Sequence, residues 1–378
     1  MTNESVKGFR DFSGEEAAKR AELRKIIAET FERYGFEPAE TPIIEYEEFV
    51  KKENPDDESV SDIFKLQDKG KRKLALRYEF TFQLKRLAKN KKLPYKRYQI
   101  GEVFRDEPVS ANRFRQFTQC DIDVVGSSVK DEAEILAITS EILKKLGVEP
   151  VILINNRKLM NEILDNEGIK QKEAVLREID KYDKIGEKQA IQNLKKYKAE
   201  KIIRVLKQGE KFFNKFKSYK EILDLIKYCK NYGIRVLFSP TVVRGLSYYN
   251  GNVFEVKTRG AKETIVAGGG YLCGNIQATG ISFGLERLSN LAKIKIDKEK
   301  ILVISLNKDI EAIRLAGKLR KQNKVISIYY GKPSKALGYA NSCGFSKVIF
   351  VGEKEVRAGK FKVKDMKTGK EKSKDFSV

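Results

Sequence analysis

The chain has 378 residues, 41% of them hydrophobic, with 76 lysines and arginines against 53 aspartates and glutamates, a net charge of +23. This length and hydrophobic fraction fit two or three folded domains and exclude a globally disordered chain. The positive charge favours a polyanionic partner, nucleic acid before membrane, although a lysine-rich composition is an alternative explanation.

Two residue types narrow the chemistry further. Histidine is absent, which excludes a histidine general base, a histidine-containing triad and histidine metal ligands. The four cysteines, at positions 120, 229, 273 and 343, are far apart and form no C-x-x-C pair. We therefore expect reduced thiols in a cytoplasmic protein, with no metal site formed by the side chains. No apolar run has the length of a membrane span, so we expect no membrane partner.

The N-terminal region predicts a helix, then an extended stretch over Phe36–Glu45. Pro42 cannot donate a ladder hydrogen bond, so this stretch suits a sheet edge or an interface. Leu74–Arg86 follows as a short strand, a turn and a helix start, with Glu79 and Thr81 where the strand gives way to the helix.

A predicted hairpin over Lys96–Gly126 organises the first half of the chain. Its second strand alternates, so that one face can be buried and the other carries a guanidinium, an aromatic ring, an amide and two carboxylates. Arg105 and Arg113 lie at the ends of the hairpin tip, where they can clamp phosphates. The mixed face suits a pocket for a zwitterion, and a solvated antiparallel hairpin is the alternative. The buried face comprises Thr118, Cys120, Ile122 and Val124, and the mixed face Arg115, Phe117, Gln119, Asp121 and Asp123.

Helical patterns dominate the middle of the chain. Residues 131–146 predict an amphipathic helix and residues 151–154 a strand, and residues 158–232 form a lysine-rich helical insertion. The charge of this insertion is either a solvated face or a nucleic-acid contact, and the solvated face is the commoner case.

Strand patterns return after the insertion. The segment 242–256 places two tyrosines after an arginine, and Ala267–Asn275 predicts a glycine-rich turn. Arg287 lies in an apolar run, so it must be paired or face a cleft. From residue 298 a β-α-β-α-β alternation predicts a separate α/β domain.

These motifs, in this order, resemble the class II aminoacyl-tRNA synthetases, and specifically the histidyl-tRNA synthetase family. The resemblance covers nearly the whole chain. GFRDF is similar to the family's opening, TPIIE to motif 1, FRDE with RFRQFTQCDIDVVG to motif 2, RGLSYYN and AGGGY to the two histidine-specific blocks, and GLERL to motif 3.

The resemblance implies a fold and an activity. The fold is an α+β catalytic core built on an antiparallel sheet flanked by helices, over residues 1–157 and 233–297, with a helical insertion at 158–232 and an α/β anticodon-binding domain at 298–378. The activity is ligation of L-histidine to tRNA(His) through a histidyl-adenylate, with ATP and Mg²⁺. Motif 1 implies a homodimer.

The resemblance also implies a set of site residues. The implied catalytic residues are Arg105 and Arg244. The implied ATP-binding residues are Arg105, Glu107, Arg113, Phe117 and Arg287. The implied histidine-binding residues are Glu79, Thr81, Gln119, Asp123, Arg244, Tyr248, Tyr249 and Tyr271.

Departures from the family pattern concern the amino-acid pocket. Ser247 stands where the family has aspartate, Gly270 where it has arginine, and Leu272 where it has aspartate. The alternatives are a synthetase-like paralogue, such as an ATP phosphoribosyltransferase regulatory subunit, and a non-catalytic tRNA-binding accessory protein. Paralogues of that kind typically lack the anticodon domain and often lose the catalytic arginine, whereas this sequence retains both patterns.

Overall fold

The computed structural model describes residues 4–52, 62–110, 113–243, 248–260, 263–295 and 299–375. The chain divides into two compact units, the first ending at Ile294 and the second beginning at Lys295. Hydrophobic clusters of the two units share no residue, so each has its own core.

An eight-stranded sheet forms the first unit. In spatial order it contains β1 (Glu37–Pro38), β5 (Tyr95–Phe104), β6 (Gln116–Val125), β11 (Ile276–Gly284), β10 (Val266–Cys273), β9 (Tyr249–Thr258), β7 (Pro150–Asn156) and β8 (Val236–Phe238). The six inner strands are antiparallel, which confirms the predicted antiparallel core, while the two edge strands pair in parallel.

The alternation predicted for β6 is confirmed. Thr118, Cys120, Ile122 and Val124 have no exposed surface. They face a core completed by α1 (Gly14–Arg33), α4 (Val129–Lys145) and α12 (Leu285–Leu291). Because the opposite face of the sheet is not covered by these helices, its polar row is left to line a cavity.

Helices fill the sequence between β7 and β8, as predicted. They are α5 (Arg157–Asn166), α6 (Lys172–Asp180), α7 (Tyr182–Ile185), α8 (Glu187–Lys195), α9 (Ile202–Leu206), α10 (Glu210–Phe213) and α11 (Tyr219–Asn231). Their apolar residues join the same cluster as the main sheet, so this segment does not have a separate core.

A three-stranded sheet lies between α1 and β5 in the sequence. It contains β2 (Ile44–Tyr46), β4 (Lys73–Leu76) and β3 (Lys65–Gln67) in spatial order, and it is accompanied by α2 (Glu47–Lys52) and α3 (Thr81–Ala88). The predicted edge position of the Phe36–Glu45 stretch is confirmed, since β1 and β2 are both edge strands.

The predicted glycine-rich turn at Ala267–Asn275 is wrong. Most of this stretch is strand β10, and the turn is confined to its end, where Gly274 has a φ of +63°. A Cβ atom on Gly268 would lie 2.1 Å from the carbonyl oxygen of Gly280 on β11. The glycines therefore permit close approach of two strands instead of reversing the chain.

The second unit is the predicted α/β domain. Its elements are β12 (Lys300–Ser305), α13 (Asp309–Lys321), β13 (Val325–Tyr330), α14 (Pro333–Ser342), β14 (Lys347–Val351), α15 (Glu353–Ala358), β15 (Lys360–Asp365) and β16 (Glu371–Asp375). The sheet order is β13-β12-β14-β15-β16, with the first three strands parallel and the last two antiparallel. Among the described residues of both units, no helix has the length and apolar character needed to span a membrane.

Two buried aspartates lower the stability of the main sheet. Asp121 is 6% exposed and Asp123 is 4% exposed, on the same face of β6. Burial, followed by the charge of Asp123, raises the pKa of Asp121 to about 7, although the nearby Arg97 guanidinium opposes this rise. An unfolded aspartate titrates near pH ~4. The folded state therefore keeps a proton that the unfolded state releases between these pH values.

We expect Asp121→Asn to remove a pH-dependent loss of stability. The free energy of unfolding of the wild type falls as pH rises from about 4 to about 7, because the unfolded state releases the proton and is thereby stabilised while the folded state keeps it. Between about pH 5 and pH 8 the free energy of unfolding of the variant, measured by urea unfolding, should rise by roughly 2–4 kcal/mol relative to that of the wild type. Asp165→Asn, at an exposed position of the same unit, is the control. Parallel pH profiles for all three proteins would contradict the prediction.

Candidate active site

A cavity of about 400 Å³ opens on the polar face of the main sheet. It brings together every candidate site residue that the structure describes, from β6, β9, β10, α3, α12 and the loops beside them. Arg244 and Ser247 lie outside the described residues. The candidates that line the cavity are Glu79, Thr81, Arg105, Glu107, Arg113, Phe117, Gln119, Asp123, Tyr248, Tyr249, Tyr271 and Arg287.

One end of the cavity is rich in arginine. Arg105 follows β5; its Nε donates to the carbonyl oxygen of Tyr78 at 3.3 Å, and its guanidinium lies 5.1 Å from the ring centre of Phe117. Glu107 lies between two guanidinium groups, 3.9 Å from Arg105 and 3.4 Å from Arg113. These contacts hold Arg105 in place, while the Arg113 side chain remains exposed. Both guanidinium groups are therefore available to bind the oxygens of a polyphosphate.

Arg287 reaches the cavity from α12. Its Nη1 donates to the carbonyl oxygen of Thr264 at 2.8 Å, so the arginine in the apolar run is paired, as predicted. The neighbouring Glu286 accepts the backbone N–H of Thr118 at 3.1 Å and lies 2.9 Å from Arg20 of α1. The Glu286 carboxylate therefore ties the start of α12 to β6, and with it fixes Arg287 relative to the hairpin.

The other end of the cavity is rich in carboxylates. Glu79, Asp121 and Asp123 line it, and all three are buried. Thr81 begins α3 two residues after Glu79, so the predicted transition from strand to helix at this point is confirmed. Phe117 and Asp123 are six residues apart on β6, which separates them by about 20 Å at the rise of an extended strand. The cavity thus has a cationic end and an anionic end.

Asp123 is held on both of its oxygens. Oδ2 lies 2.9 Å from Arg97 Nη2, and Oδ1 accepts the Tyr271 hydroxyl at 2.5 Å. Burial raises the pKa of Asp123, while Arg97 and the Tyr271 hydrogen bond oppose that rise. A Cβ on Gly280 would lie 2.0 Å from Oδ1, so glycine at this position of β11 is needed to admit the carboxylate.

Three tyrosines pack together beside this carboxylate. The ring centres of Tyr248 and Tyr249 are 4.7 Å apart, and those of Tyr248 and Tyr271 are 5.8 Å apart. Burial, followed by the charge of Glu79, raises the pKa of Tyr248 well above its usual value. Burial, followed by the charge of Asp123, likewise raises the pKa of Tyr271. The phenols of Tyr248 and Tyr271 therefore stay protonated and act as neutral hydrogen-bonding groups.

Several residues of the site were not among the sequence candidates. Ser282 on β11 accepts from Gln119 Nε2 at 2.7 Å and orients that amide. Asp121 lines the cavity between Gln119 and Asp123, and Arg97 lies behind it on β5. The period-2 pattern of β6 placed Asp121 on this face, whereas the position of Arg97 opposite Asp123 depends on the pairing register of β5 and β6, which alternation alone does not give.

Neither Gly270 nor Leu272, two of the departures from the family pattern, lines the cavity. Leu272 is 48% exposed and follows Tyr271 on β10, so its side chain does not line the cavity. A Cβ on Gly270 would lie 3.4 Å from Glu132 Oε1. Glu132 is buried, accepts from Asn252 Nδ2 at 2.6 Å, and has its pKa raised to about 7 by burial.

The chemistry of the cavity is that of charge recognition. The arginines suit phosphate oxygens, and the carboxylates and phenols suit an ammonium group and a nitrogen heterocycle. Among the described residues, no three histidine, cysteine, aspartate or glutamate side chains are grouped to hold a metal ion.

Sequence models of known protein families match both units of the chain. The histidyl-tRNA synthetase model matches residues 8–288, and a model described as an anticodon binding domain matches residues 300–377. The two matches fall on either side of the boundary at Ile294.

Individual relatives agree with these matches. The chain is 36% identical to histidine–tRNA ligase 2 of Shouchella clausii, over 99% of this chain and 98% of the relative. Histidyl-tRNA synthetase from Nostoc sp. PCC 7120 superposes with a TM-score of 0.85 at 26% identity, over 99% of this chain and 97% of that one. A Bacillus halodurans structure described as an ATP phosphoribosyltransferase regulatory subunit/histidyl-tRNA synthetase has a TM-score of 0.77 at 22% identity, over 93% and 98%, and supports the fold alone.

The family model covers well over half of the chain, and the match to the Shouchella clausii protein extends over nearly all of it. The cavity also holds those residues singled out by the motif resemblance that the structure describes. The chain belongs to the histidyl-tRNA synthetase family of class II aminoacyl-tRNA synthetases.

Proposed function

We propose that the chain activates L-histidine with ATP and transfers it to tRNA(His). The observation that carries this proposal is the single cavity with arginines at one end and carboxylates and phenols at the other. A histidyl-adenylate has the same polarity, with a phosphate-bearing end and an end that carries an ammonium and an imidazole.

The reaction has two steps. An oxygen of the histidine carboxylate attacks the α-phosphorus of ATP, the bond to the β-phosphate oxygen breaks, and pyrophosphate leaves. The 3′-terminal ribose hydroxyl of the tRNA then attacks the acyl carbon and AMP leaves. The first nucleophile is already ionised, so this step needs positioning and charge stabilisation and no histidine base.

The roles of the cationic end are those that the motif resemblance implies, and the contacts of the described residues fit them. Arg105, held by Tyr78 and beside Phe117, would meet the α-phosphate and the carboxylate, and Arg244 would act at the same phosphate. Phe117 would stack on adenine, and Arg287 would hold the γ-phosphate. Glu107 and Arg113 would hold the adenine side and the outer phosphates, respectively.

The anionic end would hold the amino acid. Glu79, Thr81 and Gln119 would bind its ammonium group. Asp123 and the three tyrosines, Tyr248, Tyr249 and Tyr271, would surround its imidazole. The aromatic rings pack against one another, and most of these groups are buried. In such surroundings each hydrogen bond discriminates more strongly than it would in water.

Mg²⁺ would enter this site with the nucleotide. The described residues offer no acidic cluster of three, and Mg²⁺ at such sites is commonly held by substrate phosphates with one or two carboxylates. The ion would supply neutralisation of the phosphate charge.

The second unit would contact the tRNA anticodon. Residues 299–375 contain nineteen lysines and arginines against eight aspartates and glutamates, a net charge of +11. The family match to this unit is described as an anticodon binding domain. We assign residues 298–378 to this role, residues 1–157 and 233–297 to catalysis, and residues 158–232 to the helical insertion.

A homodimer would form through the three-stranded sheet. The pairing register places Ile44, Tyr46, Leu66, Leu74 and Leu76 on one face, with Glu45 and Ala75 on the other. Ile44 is 50% exposed and Tyr46 is 56% exposed, whereas Ala75 and Glu45 are buried. An apolar sheet face open to water favours burial against a partner, and motif 1 of the family makes a second copy that partner.

Measurement of ATP–pyrophosphate exchange with each amino acid in turn tests the proposed activity. Exchange that depends on histidine is expected. Exchange with another amino acid would overturn the substrate assignment. Exchange with none would favour a paralogue or a tRNA-binding accessory protein.

Substitution of an arginine at the α-phosphate should slow activation strongly. For Arg105→Ala and Arg244→Ala we expect adenylate formation to fall roughly 10²–10³-fold, because each removes one preorganised charge donor. Arg33→Ala is the control, since Arg33 pairs with Glu141 outside the cavity. Near-wild-type rates in folded variants would show that these arginines only pair with neighbouring carboxylates.

Removal of the second unit should separate activation from charging. A protein ending at Ile294 should keep histidine-dependent exchange and lose affinity for tRNA. The KM for tRNA of the full chain should also rise with salt, because phosphate neutralisation releases counterions. An unchanged tRNA KM and salt dependence after truncation would contradict the assignment.

Charge on the apolar sheet face should dissociate the dimer. Tyr46→Glu should shift sedimentation from dimer to monomer, since an ionised carboxylate is costly in a buried interface. The matched control is Leu223→Glu, at a position on α11 that is 46% exposed. A wild-type protein that sediments as an active monomer would rule the dimer out.

A further inference from the structure

Arg97 is a fully buried arginine behind the amino-acid end of the cavity. It is 0% exposed and lies on β5 directly opposite Asp123 of β6. Directly opposite residues of an antiparallel pair point to the same face, so Arg97 and Asp123 share the cavity face. Arg97 does not line the cavity itself, so its effect on a ligand must be exerted through another residue.

The contacts of Arg97 are few for a buried charge. Nη2 lies 2.9 Å from Asp123 Oδ2 and donates to the carbonyl oxygen of Phe80 at 3.2 Å. Nε and Nη1 are buried without a hydrogen-bond partner among the described residues. A buried guanidinium is costly, and an ion pair made this way is a poor source of stability compared with apolar packing. These contacts instead suit a group retained for its effect on Asp123.

The second oxygen of Asp123 sets the direction of a tyrosine hydroxyl. An ionised carboxylate only accepts hydrogen bonds, so the Tyr271 hydroxyl must donate its hydrogen to Oδ1, at 2.5 Å. The hydroxyl hydrogen is then used, and the oxygen of Tyr271 presents only lone pairs to the cavity that it lines. The amino-acid end therefore offers an acceptor at this point.

We propose that Arg97 is a positioning residue that keeps Asp123 ionised and, through Tyr271, makes this end of the cavity an acceptor for a ring N–H of the substrate. The proposal rests on the proposed function, in which the substrate side chain is the imidazole of histidine. Imidazole always carries at least one N–H donor, whereas apolar side chains of similar size carry none. The chain Arg97–Asp123–Tyr271 is thus a determinant of specificity that begins outside the cavity.

The groups facing Asp123 define what happens without Arg97. They are Arg97 on β5, Asp121 on β6 and Tyr271 on β10, while Gly280 on β11 brings no side chain. Burial raises the pKa of Asp123, and Arg97 is the leading group that opposes this. Without the guanidinium, Asp123 binds a proton at higher pH, its O–H can donate, and the Tyr271 hydroxyl is no longer held in one direction.

The test compares Arg97→Met and Arg97→Lys with wild type in histidine-dependent pyrophosphate exchange between about pH 6 and pH 9. We expect Arg97→Met to raise the KM for histidine about 10–100-fold, with a KM for ATP within about threefold of wild type. The acid limb of kcat/KM for histidine should move to higher pH. Arg97→Lys, which retains the charge, should restore part of both effects.

Arg157→Met is the matched control. Arg157 is 5% exposed and pairs with Glu173, but it does not line the cavity or contact Asp123. It should leave the KM for histidine and the pH profile unchanged. If Arg97→Met raises the two KM values equally, changes neither, or leaves the pH profile in place, the proposal is overturned. Absence of histidine-dependent exchange in the wild type would instead overturn the proposed function.

A second measurement applies if Arg97→Met does not fold. Tyr271→Phe removes only the hydroxyl, and it is combined with Arg97→Lys in a double-mutant cycle on the KM for histidine. Residues that act through one chain of hydrogen bonds should give a combined effect smaller than the product of the two single effects. A combined effect equal to that product would show that Arg97 does not act through Tyr271.

Discussion

Two carboxylates two residues apart on a buried strand face are the constraint around which the catalytic unit is arranged. Asp121 and Asp123 lose most of their hydration and repel one another, so both cannot stay ionised without compensation. Arg97 and Tyr271 converge on Asp123, and the pKa of Asp121 is left raised to about 7. Environment thus treats the two aspartates differently: Arg97 and the Tyr271 hydrogen bond oppose the rise in the pKa of Asp123, whereas Asp121 is easily protonated near neutral pH.

The rest of the sheet accommodates this arrangement. The main sheet is antiparallel at β5, β6, β11 and β10, so residues far apart in sequence meet across it with fixed register. Gly280 leaves room for the Asp123 carboxylate, and Gly268 lets β10 approach β11 closely enough to bring Tyr271 within hydrogen-bonding distance. Exclusion of side chains at these two positions is therefore as necessary to the site as the charges themselves.

The sequence predicts the parts of this site that depend on local periodicity. The alternation of β6 separates core residues from Phe117, Gln119 and Asp123, and motif order supplies the arginines. It does not reveal the pairing of Glu286 with the Thr118 N–H, which are 168 residues apart, because nothing local marks a long-range hydrogen bond. The turn predicted at Ala267–Asn275 is wrong for a related reason, since glycine is typical of turns and equally of strands that approach one another closely.

Because this protein contains no histidine, changes in its charge near neutral pH must come from other titratable groups. Asp121 and Glu132 are both buried with pKa values raised to about 7. Asp121 lines the cavity, and Glu132 lies beside Gly270 of β10. Their ionisation adds negative charge inside the sheet as pH rises, the opposite of the loss of positive charge that imidazoles would give. The electrostatic field at the amino-acid end therefore becomes more negative toward alkaline pH, which strengthens attraction for the ammonium group of a bound amino acid while it weakens the sheet that holds it.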